Sequence, residues 1–176
     1  MRIYIKGPDG KPLMPQKKED VGKEEIREHI REILECVVEL IPSEWSKTAL
    51  YAEVVEKSVS FQIVYTSDGY AGRVSRAAEK NLYSGKIYEQ RKTRLVDAVK
   101  RLYEKYAALG GRWEAMSVVF AGDGEYTAEF FESVRKDLTP QERIEKWKKD
   151  TLKVRQKTEK NNVSARSIEI HRRDDD

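Results

Sequence analysis

Hydrophobic residues recur every three or four positions in two long stretches of the chain, a spacing that predicts amphipathic helices. The first stretch follows Lys23 and ends before Pro42, because a proline keeps the residue before it out of the helical conformation. The second covers 87–108 and stops at Gly110-Gly111, as helices commonly do. The predicted apolar faces are Ile26, Ile30, Ile33, Leu34, Val37, Val38 and Ile41 in the first helix, and Leu95, Val96, Val99, Leu102, Tyr103 and Tyr106 in the second.

Alternating hydrophobic and polar residues predict strands between and after these helices. The predicted strands are 50–55, 60–65, 70–74 (the weakest), 116–120 and 126–130. The first two are joined at hairpin length by Glu56-Lys57-Ser58. The last two are joined by Gly122-Asp123-Gly124, whose glycines are expected to supply the positive-φ positions of a tight turn.

A third helix is predicted to begin just after Leu138. Thr139 is the expected N-cap, Pro140 occupies the first helical position, and Glu142 completes a capping box. This helix extends beyond Trp147 as a polar segment in which apolar positions become sparse.

These elements predict an α+β fold in which an antiparallel sheet of about five strands packs against helices. The predicted order is helix, three strands, helix, hairpin, helix. The main domain is expected over 24–150, with 1–23 as an N-terminal extension or linker and 151–176 as a polar C-terminal extension. Alternation at 2–6 indicates a possible short strand, and 167–171 could pair with it.

The composition favours a soluble, cytoplasmic protein. Charged residues make up 37% of the chain and hydrophobic residues 39%, and no apolar run is long enough to cross a membrane. Charges interrupt the N-terminal segment, which is unlike a signal peptide. Cys36 is the single cysteine, so an intramolecular disulfide is excluded.

The formal net charge of +3 conceals a separation of charge along the chain. Residues 24–58 contain nine acidic and four basic residues, whereas 59–109 contain ten basic and five acidic residues. A basic second helix could contact nucleic acid, but charge runs on amphipathic helices are more often solvated faces that pair with acidic neighbours. We therefore expect pairing rather than nucleic-acid binding.

No arrangement of residues typical of an active site is present. The two histidines, His29 and His171, are far apart in sequence, and no zinc, phosphate-loop or nucleophile-elbow motif occurs. Glu125 and Glu129 share one face of a strand, as an acid/base pair would, but the solvent face of an antiparallel strand has the same pattern. We predict a protein that is not an enzyme and needs no cofactor or metal.

Two short motifs resemble those of the YezG/EsaG-like immunity proteins. One is Ile41-Pro42-Ser43-Glu44-Trp45 followed by a Tyr-Ala-Glu strand, and the other is the Leu-Thr-Pro-Gln-Glu-Arg start of the third helix. The resemblance covers about 24–150. The residues that carry it, for which we expect structural roles, are Pro42, Trp45, Tyr51, Thr139, Pro140, Glu142, Arg143 and Trp147.

The resemblance implies a small bacterial α+β antitoxin that binds and neutralises the C-terminal toxin domain, commonly a nuclease, of a secreted polymorphic toxin. A nuclease binds phosphates through a basic cleft, so an acidic surface would be steered to it. The candidate toxin-binding residues are Glu53, Asp123, Glu125 and Glu129. The same carboxylates could instead serve only to keep the sheet soluble.

Two other functions stay open at this stage. A nucleic-acid-binding or regulatory protein would use the basic helix 87–108 and the basic C-terminal tail. A scaffold or homodimer would form through an exposed sheet edge. The sequence does not fix the oligomeric state.

Overall fold

The computed structural model describes residues 2–6, 20–67, 70–73 and 84–151. Its backbone forms two compact units, Met1–Val134 and Arg135–Asp176. The elements of the first unit are β1 (Arg2–Lys6), α1 (Asp20–Val38), β2 (Lys47–Val55), β3 (Ser58–Ser67), β4 (Tyr70–Arg73), α2 (Gly85–Ala108), β5 (Ala115–Ala121) and β6 (Tyr126–Phe131). The second unit contains helix α3 over 140–151. The predicted domain boundaries at 23 and 150 stay a prediction.

The first unit is built around one sheet with the strand order β1-β6-β5-β2-β3-β4. All neighbouring strands from β6 to β4 are antiparallel, as predicted. The sheet has six strands rather than about five, because β1 adds to the edge of β6 in the parallel direction, with Ile3 opposite Ala128. The predicted pairing of 167–171 with this strand lies outside the described residues.

Helices α1 and α2 share one hydrophobic core with the sheet, which confirms the α+β fold class. Both helices supply fully buried residues at the predicted spacing, among them Ile30 and Ile33 from α1 and Leu95 and Leu102 from α2. Full burial of a side chain of this size contributes about 1.5–3 kcal/mol. The sheet contributes Leu50, Ile63, Met116, Val118, Ala128 and Phe130 to the same core.

Strand β2 lies in the middle of the sheet, between β3 and β5. Its seven inner residues, 48–54, are all buried, so both of its faces are shielded from water. A strand that is buried on both faces does not show the clean alternation of a half-exposed strand. This position determines the environment of Glu53.

Candidate binding surface

The β5–β6 turn holds two of the four candidate carboxylates, Asp123 and Glu125. The Gly124 N–H donates to the Ala121 carbonyl oxygen at 3.1 Å, and the Ala121 N–H donates to the Glu125 carbonyl oxygen at 3.1 Å. Gly124 has a φ of 88°, the left-handed conformation that follows a type I turn in a three-residue hairpin loop. The prediction that both glycines of this turn supply positive φ is correct for Gly124 and wrong for Gly122.

The side chain of Asp123 fixes the turn further. Its Oδ1 accepts a hydrogen bond from the Glu125 N–H at 3.0 Å, which is an Asx turn. Both Asp123 and Glu125 are exposed, and neither forms an ion pair with the residues that the structure describes. The turn therefore presents two adjacent carboxylates to solvent on a hydrogen-bonded backbone.

The other two candidates, Glu53 and Glu129, lie on the sheet rather than at the turn. Glu129 is half-buried on β6 and pairs with Ser117, whose partner on β2 is Tyr51. Glu53 is only 1% exposed, and its Oε1 accepts a hydrogen bond from the Tyr51 hydroxyl at 2.7 Å. Strand β5 separates β2 from β6, so Glu53 is neither exposed nor on a strand next to that of Glu129, and its candidate role in toxin binding stays a prediction.

The residues of the first motif have packing roles in the structure. Pro42 follows α1 and is half-buried. Trp45 packs edge-on against Phe120 of β5, with ring centroids 5.2 Å apart and ring planes at 70°. Tyr51 is buried and donates to Glu53. The aromatic residues of this motif thus fix the segment after α1 and the centre of the sheet.

The predicted capping box at the start of α3 is confirmed. The Glu142 Oε2 accepts from the Thr139 N–H at 2.7 Å and from the Thr139 hydroxyl at 2.8 Å, while the Glu142 N–H donates to Thr139 Oγ1 at 3.3 Å. These hydrogen bonds, the backbone one foremost, lower the pKa of Glu142. Arg143 donates to the carbonyl oxygens of Arg135 and Leu138, and Trp147 is half-buried.

Three basic residues of α2 pair with acidic residues in α1 or just after it, in agreement with the expectation that this helix pairs with acidic neighbours. Arg94 bonds both carboxylate oxygens of Glu39, at 2.9 and 2.7 Å, and Arg101 pairs with Glu32. A further pair joins Lys105 to Glu25. Exposed pairs of this kind add little stability, but they leave less positive charge for phosphates. Nucleic-acid binding by this helix stays an untested alternative, and the basic tail lies outside the described residues.

Arg91 has a role that the sequence did not indicate. Its guanidinium donates to the backbone carbonyl oxygen of Glu39, just beyond the last turn of α1. Cationic side chains stabilise helix C-termini by bonding carbonyl groups that have no partner within the helix. Helix α1 has no basic residue in its own last turn, so α2 provides this contact from a distant part of the sequence. No local pattern encodes it.

Two further features concern chemistry and membranes. Across 20–67 and 84–151, the structure holds no group of three or more histidine, cysteine, aspartate or glutamate residues able to bind a metal ion. Burial raises the pKa of the Cys36 thiol, which disfavours the reactive thiolate. No helix in the described part of the chain combines the length and apolar character needed to cross a membrane.

A comparison with protein families identifies the family of this chain. The model of the family described as immunity protein YezG-like matches residues 26–165. The chain belongs to the YezG-like immunity protein family. The resemblance inferred from the two motifs is thereby confirmed, and the family match extends beyond the predicted limit at residue 150. Among curated proteins, no significant match is found.

Membership of the YezG-like family supports an immunity function, in which the partner is a toxin protein. A binding protein of this kind needs an accessible recognition surface rather than a catalytic constellation. Of the four candidate residues, Asp123 and Glu125 are exposed, Glu129 is half-buried and Glu53 is buried.

Proposed function

We propose that this YezG-like protein binds and neutralises the C-terminal toxin domain of a secreted polymorphic toxin, and that this domain is a nuclease. The observation that carries the proposal is the family match over residues 26–165, since an immunity protein acts by binding its toxin. The protein acts in the cytoplasm of the bacterium that makes the toxin, where it is not an enzyme but an inhibitor.

The acidic β5–β6 turn is the proposed centre of recognition. A nuclease holds the phosphates of its substrate in a basic cleft, and two exposed carboxylates on a fixed turn would be attracted to that cleft and would occupy it. Asp123 and Glu125 are accessible for this contact. Glu129 contributes from the adjoining sheet face, and buried Glu53 contributes indirectly by holding Tyr51.

The test begins with the neighbouring gene, which we expect to encode a large secreted protein with a C-terminal toxin domain, and uses that domain in catalytically inactivated form. We expect it to co-purify with the immunity protein when the two are co-expressed. Replacing the turn carboxylates by neutral isosteres, Asp123→Asn with Glu125→Gln, keeps the Asp123 side-chain acceptor and removes only charge. We expect this variant to bind about ten-fold more weakly at low salt, with a smaller difference at high salt.

A matched control removes the same charge from another surface. Glu28 and Glu35 are exposed on α1, and replacing both by glutamine changes the net charge by the same amount. We expect this control to bind nearly as well as the wild type. Equal loss in both variants would show a general charge effect and contradict a specific role for the turn. Failure of the wild-type pair to associate would contradict the proposed function itself.

A further inference from the structure

The turn between β2 and β3 contains two residues in a conformation that L-amino acids rarely adopt. Strand pairing continues without interruption to Val55 opposite Ser58, so Glu56 and Lys57 alone form the turn. Their φ angles are 48° and 68°. Two-residue turns with positive φ at both positions are type I′, and they strongly favour Asn-Gly because other residues are strained there. We call Val55–Ser58 the hairpin tip.

Elsewhere, the chain meets the same backbone requirement with glycine. In the described part of the chain, the other positive-φ positions are Gly110 and Gly124. The hairpin tip is therefore not the sequence that would stabilise this hairpin best. Strained residues persist in proteins where the surrounding structure holds them, and they concentrate at binding and functional sites. The contrast between this turn and the glycine positions indicates that the side chains of Glu56 and Lys57 have a role beyond forming the turn.

The surface of the hairpin tip is suited to contact another protein. Val55 is 45% exposed, although it is a large apolar residue, and Glu56, Lys57 and Ser58 are exposed beside it. An apolar side chain next to one negative and one positive charge can fill a small pocket and pair with charges at its rim. Because the paired strands fix the backbone up to the turn, little conformational freedom would be lost on binding.

We propose that the hairpin tip is a second contact region for the toxin domain, inserted into a concave surface with an apolar centre and charged rim. This inference rests on the proposed function. Lys47, at the start of β2, pairs with Ala121 beside the acidic turn, whereas Val55 ends the same strand. The two regions are therefore separated by the length of β2, about 27 Å at roughly 3.4 Å per residue. A partner interface of about 800 Å² per protein can cover that span.

Two changes to the hairpin tip test the inference with the inactivated toxin domain and the full-length chain. The double change Glu56→Asn with Lys57→Gly leaves net charge unchanged and gives the turn its favoured sequence. We expect a melting temperature higher by a few degrees together with about ten-fold weaker binding, mainly through faster dissociation. Val55→Ser removes the apolar contact, and we expect about ten-fold weaker binding.

Val38 provides the matched control for Val55. Val38 is 42% exposed at the end of α1, although its spacing predicted a place on the apolar face, so Val38→Ser makes the same chemical change at similar exposure on a different element. We expect unchanged binding for this variant. Wild-type binding with equal affinity in both tip variants would overturn the inference while leaving the proposed function intact. If the wild type does not bind the toxin domain, this result contradicts both the inference and the proposed function.

Sedimentation of the protein alone tests whether a second copy of this chain, rather than the toxin domain, binds the hairpin tip. A concentration-dependent dimer that Val55→Ser abolishes would assign the hairpin tip to a second copy of the chain and overturn the inference. A wild-type monomer whose tip variants still lose toxin binding is the expected result.

Discussion

The β2–β3 hairpin turns through Glu56 and Lys57, both in the left-handed conformation, whereas the β5–β6 hairpin turns through three residues and places Gly124 at its left-handed position. Both hairpins belong to the same sheet, and both have fully paired strands. The difference is in which residue bears the positive φ. The β5–β6 turn has glycine at its left-handed position, and its Glu125 N–H donates to the Asp123 carboxylate, while the β2–β3 turn has no residue suited to its conformation.

This contrast separates two ways in which a turn can serve recognition. At the β5–β6 turn, the positive-φ residue is glycine, so neither Asp123 nor Glu125 has to adopt the left-handed conformation. At the β2–β3 turn, the charged residues themselves adopt the strained conformation. Each non-glycine residue in this conformation lowers the free energy of unfolding by roughly 1–2 kcal/mol. Stability and surface chemistry are thus compatible at the β5–β6 hairpin and opposed at the β2–β3 hairpin.

The largest expected effect is at Gly124. Replacing it by alanine places a Cβ at a φ of 88°, and we expect a loss of about 1–2 kcal/mol in the free energy of unfolding. The measurement is urea denaturation followed by circular dichroism. Gly122→Ala is the control, because Gly122 lacks a positive φ and an added Cβ would meet open space. An equal loss in both variants would contradict the assignment of the left-handed position.

At the β2–β3 hairpin, we expect glycine to increase the free energy of unfolding rather than alanine to reduce it. Lys57→Gly should raise the free energy of unfolding by about 1 kcal/mol, because glycine adopts the native φ of 68° without strain. Ser58→Gly is the comparison, since Ser58 begins β3 and glycine within a strand is expected to destabilise it. If Lys57→Gly lowers the free energy of unfolding, the strain attributed to this turn is absent.

The smallest effect concerns the side chain of Asp123. Asp123→Ala removes the acceptor for the Glu125 N–H, and we expect a loss of about 0.5 kcal/mol, since an exposed hydrogen bond contributes at the low end of the usual range. Asp123→Asn retains an acceptor oxygen and should unfold at nearly the wild-type urea concentration. Similar losses for alanine and asparagine would indicate that charge, rather than the hydrogen bond, stabilises the turn.

Local patterns predicted most of the individual elements. The three- and four-residue spacing located α1 and α2, and the Thr-Pro-Gln-Glu sequence located the start of α3 together with its capping box. The basic face of α2 was expected to pair with acidic neighbours, and it pairs with Glu25, Glu32 and Glu39 in and just after α1. These features depend on residues close in sequence or on simple attraction between opposite charges, so they are visible without a structure.

The candidate surface was predicted only in part. The exposure of Asp123 and Glu125 followed from their place in a glycine-containing turn. The burial of Glu53 did not follow from the sequence, because alternation within one strand shows which residues share a face but not which strands lie beside that strand. The positive φ of Glu56 and Lys57 could not be predicted either, because the turn contains neither asparagine nor glycine, the residues that indicate a type I′ turn.

The sequence by itself determined where helices, strands and turns form, because propensity, periodicity and capping act over a few neighbouring residues. Only the tertiary structure decided the order of the strands. It placed β2 at the centre and β1 parallel to β6, and it brought Arg91 to the end of α1. These outcomes depend on contacts between residues far apart in the chain, which are selected by how well whole surfaces bury one another.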